Sequence, residues 1–195
     1  MINWNWDFKV SESWYLECLF KIVKEEDLPK SCIEISSKSC PHCHSKGYLR
    51  LHGKLKSSQE EQRGSRVLCS NRFRLKGCGR TCSILASTFI PNSSVRSLTI
   101  WKVISLYLQG LSLSDTRDAV AVIHTLSSVS RWRKLFELKQ SIIRSDLLQI
   151  HDPPDQLEES AMELTLKHLL QCFHSDNPIA NYQEHFQKGW PLFRS

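Results

Sequence analysis

Two pairs of cysteines restrict how this chain of 195 residues can fold. Cys40 and Cys43 are separated by two residues, and Cys69 and Cys78 follow after a basic segment. Two intervening residues let a tight turn direct both thiolates at one point, and a second pair completes the tetrahedral ligand set that Zn²⁺ prefers. The spacing predicts one structural zinc ion, bound by Cys40, Cys43, Cys69 and Cys78.

The second pair is irregular, because eight residues separate Cys69 from Cys78 where a standard zinc knuckle has about two. We interpret residues 70–77 as a basic loop inserted into the second knuckle. Cys82 is an alternative ligand, since Cys78 and Cys82 also form a workable pair. We favour Cys69 because it is predicted to lie at the end of a strand.

Other cysteines and histidines are weaker candidates for ligands. His42 and His44 flank the first knuckle, but adjacent side chains in a knuckle point apart, so we expect both at the surface. Cys18, Cys32 and Cys172 lie far from the cluster in sequence. A small, buried, apolar position is the usual environment of such a cysteine.

Positive charge is concentrated in the middle of the chain. Residues 46–144 contain 18 Lys and Arg against 5 Asp and Glu, a balance of +13. The remaining residues contain 8 against 15, a balance of −7. A basic centre between acidic ends is typical of a polyanion-binding protein. The alternative is that these cations only solvate the surface.

Several classes of protein are disfavoured. The sequence has no apolar run of about 18 residues and no secretory signal pattern, so we expect a cytoplasmic protein with reduced cysteines. A closed four-thiolate site leaves zinc no open position for water. With no phosphate-binding loop, nucleophile elbow, His-Glu-x-x-His motif or evident carboxylate trio for Mg²⁺, we predict no catalytic residues and no enzymatic activity.

The predicted fold is α+β and mainly α, in four segments. Residues 1–35 form a helical element, 36–90 a zinc ribbon of short antiparallel strands, 91–150 a helix-turn-helix domain, and 151–195 an acidic helix and tail. The first helix is capped by Ser11 or Ser13, carries apolar residues from Trp14 to Val23, and is followed by a break at Leu28-Pro29. Strands are predicted at 48–52, 66–69 and 83–86, with a polar loop at 56–65.

Three helices are predicted after the ribbon. The first spans residues 97–108, and the second starts at Ser112 and runs to about residue 123. After a turn at 124–128, Ser127 or Ser128 caps a third helix from Val129 onward. This order is typical of a helix-turn-helix, although a plain three-helix bundle gives the same periodicity. A further acidic helix is predicted at about 156–173, before a partly irregular tail at 175–195.

The elements Cys40-Pro-His-Cys43, Arg50-Leu-His-Gly53, Arg66-Val-Leu-Cys69 and Gly77-Cys78-Gly-Arg-Thr81 precede the predicted helix-turn-helix. Together they resemble the zinc-ribbon and helix-turn-helix region of bacterial insertion-sequence transposases and their short accessory proteins, over residues 38–140. The family commonly has an aromatic residue where this chain has Cys82, which implies a core position for Cys82. The catalytic domain that can follow this module is longer than the remaining residues.

The resemblance implies a DNA-binding accessory protein or truncated transposase that binds double-stranded DNA near the bacterial nucleoid. Further partners are a second copy of the chain or a separate transposase subunit, with no membrane partner. We expect the ribbon loop to contact phosphates and the third helix to reach the major groove, through Arg72, Arg74, Lys76, Arg80, Arg131, Arg133 and Lys134. A zinc-stabilised protein-interaction adaptor is the alternative, and a truncated nuclease or transposase is a third hypothesis.

Overall fold

The computed structural model describes residues 20–56, 61–73, 75–91, 93, 95–120, 124–154 and 160–191. These residues form a mixed α/β fold with a four-stranded sheet and six α-helices. The coarse prediction of a mixed fold is therefore confirmed. Within the described ranges, no helix is both long and apolar enough to cross a membrane.

The sheet contains strands β1 (Phe20–Val23), β2 (Leu49–Lys56), β3 (Gln62–Cys69) and β4 (Thr81–Ala86), in the spatial order β1-β4-β3-β2. Strands β2, β3 and β4 pair antiparallel, with Leu49 opposite Cys69 and Val67 opposite Cys82. The three predicted strands are confirmed, and each is longer than predicted at one end only: β2 continues to Lys56, β3 starts at Gln62 and β4 starts at Thr81. The predicted loop at 56–65 is shorter than expected, because β3 already begins at Gln62.

The N-terminal prediction was wrong where the structure describes it. Phe20–Val23 is a strand that pairs parallel with β4, not the end of a helix. Three of its four residues are buried in the sheet, so tertiary packing outweighed the helical periodicity read from the sequence. The sheet is therefore not wholly antiparallel. Residues 1–19, which contain the predicted cap and Trp14, lie outside the described residues.

The predicted helix break at Leu28-Pro29 was also wrong, because helix α1 (Leu28–Ile33) begins there. Proline is tolerated in the first turn of a helix, where its missing N–H would have no intrahelical partner. A short 3-10 helix, Glu34–Ser37, follows and leads the chain into the first cysteine pair.

Five further helices follow the sheet: α2 (Ser97–Leu108), α3 (Leu113–Ala119), α4 (Leu126–Leu147), α5 (Ala161–Phe173) and α6 (Pro178–Phe186). The first two start where the sequence predicted. Helix α4 begins earlier than expected, because Thr125 is its cap and its side chain accepts a hydrogen bond from the Ser128 amide. The predicted turn at 124–128 was therefore wrong in its second half.

The tail at 175–195 is more ordered than predicted through residue 191. Asn177 caps α6 with its side chain and Pro178 occupies the first turn, a common helix start. Tyr182, Phe186 and Trp190 are buried among the other helices. Residues 192–195 lie outside the described residues.

Buried apolar side chains form two clusters. The ribbon core lies between the sheet, α1 and the cysteine turns, and it contains Val23, Leu28, Ile35, Leu49, Val67, Cys82, Ile84 and Phe89. The helical core is built by α2, α4, α5, α6 and the chain around them, and it contains Ile100, Val103, Val129, Trp132, Phe136, Leu147, Leu169, Tyr182 and Trp190.

Two glutamines of the α6 region connect the helices to the sheet. The Gln187 side chain donates to the Ile22 carbonyl (2.8 Å) and accepts from the Ile22 amide (3.0 Å). Because β1 is an outer strand, this amide side chain satisfies backbone groups that an edge would leave unpaired. Buried Gln183 donates to the carbonyls of Ser87 and Phe89, at 2.7 and 3.1 Å. These bonds hold the helical core beside the ribbon.

Candidate metal centre

The first cysteine pair lies in a tight turn. The Cys40 amide donates to the Ser45 carbonyl (3.0 Å), and the His44 amide donates to the Cys40 carbonyl (2.8 Å). His44 adopts a positive φ of 58°, which closes the turn. The His42 amide donates to the Cys40 sulfur at 3.4 Å, as expected for a knuckle that stabilises a thiolate.

The second pair forms an equivalent turn despite its long spacing. The Gly79 amide donates to the Cys69 carbonyl and the Cys69 amide donates to the Arg80 carbonyl, both at 2.9 Å. The Cys78 amide donates to the Cys69 sulfur at 3.4 Å. Cys78 thus takes the position that the second cysteine of a short knuckle would occupy.

The extra residues leave and re-enter this turn at one point. The Gly77 amide donates to the Ser70 carbonyl at 3.0 Å. A Cβ atom at residue 77 would lie 2.2 Å from the same carbonyl oxygen, so only glycine fits there. Residues 70–77 therefore form a loop whose two ends are held together by this hydrogen bond, next to Cys69 and Cys78. We call residues 71–76 the finger.

The four predicted ligands come together. The sulfur atoms of Cys40 and Cys78 are 3.8 Å apart, those of Cys43 and Cys69 are 3.7 Å apart, and all four lie within 4.8 Å of one another. Four thiolates bound at about 2.3 Å to a tetrahedral zinc ion would be separated by about 3.8 Å. The cluster is compatible with a single structural metal site, and the distances of these two sulfur pairs match that separation.

The pKa shifts of Cys40, Cys43 and Cys69 indicate why a bound cation would be needed for all four thiols to ionise. Burial raises the pKa of Cys40 and of Cys69. Burial also opposes ionisation of Cys43, but hydrogen bonds with Ser45, Cys69 and Cys40 together outweigh it and lower the pKa of Cys43 to about 6. Neighbouring thiolates repel one another, so all four ionise together only when a cation neutralises them. A divalent metal ion meets that requirement.

Cys82 does not join this cluster. It is buried in the ribbon core on β4, and burial raises the pKa of its thiol to about 12. Among the described residues, the metal-competent group contains only the other four cysteines of the ribbon. Cys32 and Cys172 are partly buried outside it, and Cys18 lies outside the described residues.

Neither His42 nor His44 belongs to the group of residues that could hold a metal. The Nε2 atom of His42 lies 3.1 Å from the Thr81 carbonyl oxygen. His42 is half-buried, so the expectation that it lies at the surface was wrong. Burial lowers the pKa of His42. The exposed position expected for His44 is observed. His42 therefore links the first knuckle to β4 instead of replacing a cysteine.

The ribbon residues predicted to contact DNA lie at the surface. Arg72 and Lys76 are exposed in the finger, and Arg80 is exposed just beyond the second knuckle. Arg74 lies outside the described residues. Sequence reasoning missed Phe73, whose residue surface is 93% exposed between these cations. The available signal was an aromatic residue flanked by arginines in a loop with no apolar periodicity.

The sheet adds cations that the sequence analysis did not select. Strand β2 forms one edge of the sheet and exposes Arg50 and Lys54, and Arg66 is exposed on the neighbouring strand opposite Gly53. The sequence signal for this surface was the alternation of Arg50, His52, Lys54 and Lys56, which begins in the predicted strand at 48–52 and continues beyond it. The ribbon thus presents cations from both its sheet and its finger.

The three cations of α4 have different environments. Arg131 and Lys134 are exposed on the first half of the helix, together with Ser127 and Ser130 at helical spacing. The Arg133 guanidinium instead lies 3.9 Å from the ring centroid of Tyr107 on α2. This cation–π contact holds Arg133 against the helical core. Arg131 and Lys134 therefore provide the exposed positive charge in this part of α4.

No protein-family model, curated protein or solved structure matches this chain.

Proposed function

We propose that this chain binds double-stranded DNA, with a zinc-stabilised ribbon and a helix-turn-helix as its two contact surfaces. The observation that carries the proposal is the position of the basic finger. Cys69 and Cys78 flank its base, so the cysteine cluster adjoins an exposed cationic loop that a bound metal would hold in place. Basic side chains held by a rigid element are the usual means of binding phosphates.

Zinc is the metal that the donor set favours. Four thiolates at tetrahedral spacing select zinc or an iron–sulfur centre, and two knuckles with amide–sulfur hydrogen bonds on a small sheet are typical of zinc ribbons. The ion would be bound by Cys40, Cys43, Cys69 and Cys78 and would have a structural role. The ribbon core is small, so metal binding would supply part of its folding free energy.

Charge on the ribbon supports an anionic partner. Between residues 35 and 114 the chain contains 13 Lys and Arg and only two acidic residues, Glu60 and Glu61. Glu61 is already paired with Arg96 at 2.8 Å. Arg50, Lys54, Arg66, Arg72, Lys76 and Arg80 remain as exposed cations of the ribbon.

Helices α3 and α4 are the proposed helix-turn-helix, with α4 as the recognition helix. Both pack with α2 around Val129 and Trp132, and the connection at 120–125 is longer than the usual three or four residues. The exposed row of Ser127, Ser130, Arg131 and Lys134 offers hydrogen-bond donors and charge in the first turns, where recognition helices contact base edges.

On the sequence resemblance to insertion-sequence transposases, we propose that this activity belongs to a mobile genetic element, as an accessory protein or truncated transposase that recognises the ends of the element. A separate transposase subunit would then be the natural partner.

Charge-removal variants test the DNA proposal. Arg131→Ser/Lys134→Ser and Arg72→Ser/Lys76→Ser should each weaken affinity for duplex DNA about 10-fold at low salt, because each pair removes about two phosphate contacts. The control is Lys24→Ser/Lys30→Ser, which makes the same change in net charge on exposed residues outside both surfaces. Equal losses in all three variants would reduce the binding to nonspecific attraction and contradict the assigned surfaces.

A protein-interaction adaptor is the second candidate, favoured by one surface of α4. Leu138 and Ile142 lie one helical turn apart and are 64% and 44% exposed. Exposed apolar pairs of this kind are often partner contacts. A zinc-loaded protein that ignores DNA but loses a protein partner on Leu138→Ser/Ile142→Ser would support the adaptor instead.

A further inference from the structure

The tip of the finger exposes a large apolar side chain that the fold does not need. Phe73 is 93% exposed and has a φ of 51°, a left-handed conformation that is uncommon for a residue with a bulky side chain. Residues of this kind persist at turn tips when the surrounding structure holds them, and they concentrate at functional positions. The ring projects into solvent from the middle of the inserted loop.

The finger is held at its base and turned at its tip. The Gly77 amide bonds to the Ser70 carbonyl, and the Leu75 amide donates to the Arg72 carbonyl at 3.0 Å, which closes a turn around Phe73. The Arg72 amide donates to the Ser70 hydroxyl at 3.4 Å. Cys69 and Cys78 flank the two ends of this loop, so the loop that carries the ring is joined directly to the cysteine cluster.

The chemistry around the ring favours a nucleic acid over an apolar partner. Arg72 and Lys76 are exposed within three residues of Phe73, and residues 69–82 contain no acidic side chain. A hydrophobic protein pocket would have to bury these cations without compensation. A nucleotide combines an aromatic face for the ring with a phosphate for the cations, the combination used by proteins that bind unpaired bases.

We propose that Phe73 stacks on an unpaired base, so that this protein prefers DNA with a bulged or extruded nucleotide to fully paired DNA. This inference rests on the proposed DNA binding. An unpaired base offers its face at a lower cost, because insertion into a paired step requires the base pairs to be unstacked first. One exposed ring provides a single stacking contact, which is worth about 10-fold in affinity. Arg72 and Lys76 bind the flanking phosphates of either DNA equally.

The test compares two duplexes of the same sequence, one fully paired and one with a single bulged 2-aminopurine, on the zinc-loaded full chain. Wild type should bind the bulged duplex about 10-fold more tightly and quench 2-aminopurine fluorescence. Phe73→Ala and Phe73→Leu should bind both duplexes equally, without quenching. Their affinity for paired DNA should stay within about twofold of wild type. Phe73→Trp should retain the preference.

Each other outcome separates this inference from the proposed function. Wild type that binds both duplexes equally, or Phe73→Leu that keeps the preference, overturns the stacking role and leaves DNA binding intact. Wild type that binds neither duplex overturns DNA binding itself. Phe73-dependent binding to vesicles of anionic lipid, with no difference between the duplexes, would assign the ring to a membrane surface and reject the proposal. Zinc content, measured on every variant, identifies any loss caused by a damaged ribbon.

Discussion

The Cys78 amide donates a hydrogen bond to the Cys69 sulfur at 3.4 Å, although eight residues lie between them. The same turn is closed by bonds between Cys69, Gly79 and Arg80, as it would be in a knuckle with a short spacer. The finger is therefore an addition to the cysteine cluster, and the two knuckle turns close without it. Site and finger should be separable by mutation.

Deletion of residues 71–76 tests this separation. The deletion joins Ser70 to Gly77, whose carbonyl and amide are already within hydrogen-bonding distance, and it restores a two-residue spacer between the cysteines. We expect one zinc ion per chain to be retained and the melting temperature to change little, while duplex affinity falls about 10-fold. Metal analysis, calorimetry and fluorescence anisotropy measure these effects. Loss of zinc in the deletion variant would show that the finger supports the site.

Cys43 and Cys82 should respond oppositely to substitution. Cys43→Ser removes one ligand and should abolish stoichiometric zinc and unfold the ribbon, since the remaining thiolates cannot close a tetrahedral site. Cys82→Ala removes a buried sulfur from β4 and should cost about 1 kcal/mol without loss of metal. Zinc content and circular dichroism distinguish the two. An unchanged zinc content in Cys43→Ser would refute the ligand assignment.

Gln187 is expected to protect the outer edge of the sheet. Gln187→Ala removes both hydrogen bonds to Ile22 and should lower the free energy of unfolding by about 1–3 kcal/mol. The Ile22 amide should then exchange with solvent much faster, which hydrogen exchange measures at that single residue. The matched control is Gln149→Ala, at an exposed position two residues after the end of α4. Unchanged Ile22 protection would mean that another group covers β1.

The contact between Tyr182 and Asp146 links α6 to α4 and should depend on pH. The Tyr182 hydroxyl donates to Asp146, and burial, followed by this hydrogen bond and the Asp146 charge, raises the pKa of Tyr182. A raised pKa in the folded state means that the stabilisation is complete below the tyrosine's unfolded value of about 10 and declines as the pH rises above it.

The comparison with Tyr182→Phe isolates that effect. Wild type should exceed the variant in stability by about 1–3 kcal/mol near neutral pH, and the difference should shrink above about pH 10. Chemical denaturation with reductant at several pH values measures it. The substitution leaves in place Lys188, which pairs with Asp146 at 2.5 Å. A difference that grows with pH would contradict this account.

Local chemistry predicted much of the fold. Cysteine spacing predicted which four cysteines lie together, because a knuckle is set by residues close in sequence. Ser112 correctly marked the start of α3, and Val129, Trp132 and Phe136 share the buried face expected from their spacing. The cap of α4 was missed because Thr125, Ser127 and Ser128 all carry hydroxyls within four residues, and sequence alone does not rank them.

Non-local packing accounts for the errors. Nothing near Phe20–Val23 in sequence indicates its pairing with β4, more than 60 residues away. The tail was judged irregular from its isolated aromatics, yet Tyr182 and Trp190 are fully buried against helices distant in sequence. The contact of Arg133 with Tyr107 likewise depends on tertiary neighbours. The exposure of Phe73 could be recognised only once the finger was seen to project.

The central proposal is that the basic surfaces of the sheet, the finger and α4 bind duplex DNA through phosphate contacts. The most direct measurement is the affinity of the zinc-loaded full chain for duplex DNA across a series of salt concentrations. Several phosphate contacts should give a straight line of log affinity against log salt with a slope of about −3 to −6, and removal of Arg131 and Lys134 should make it shallower by about 2. Binding without salt dependence, or no binding at low salt, would contradict the account.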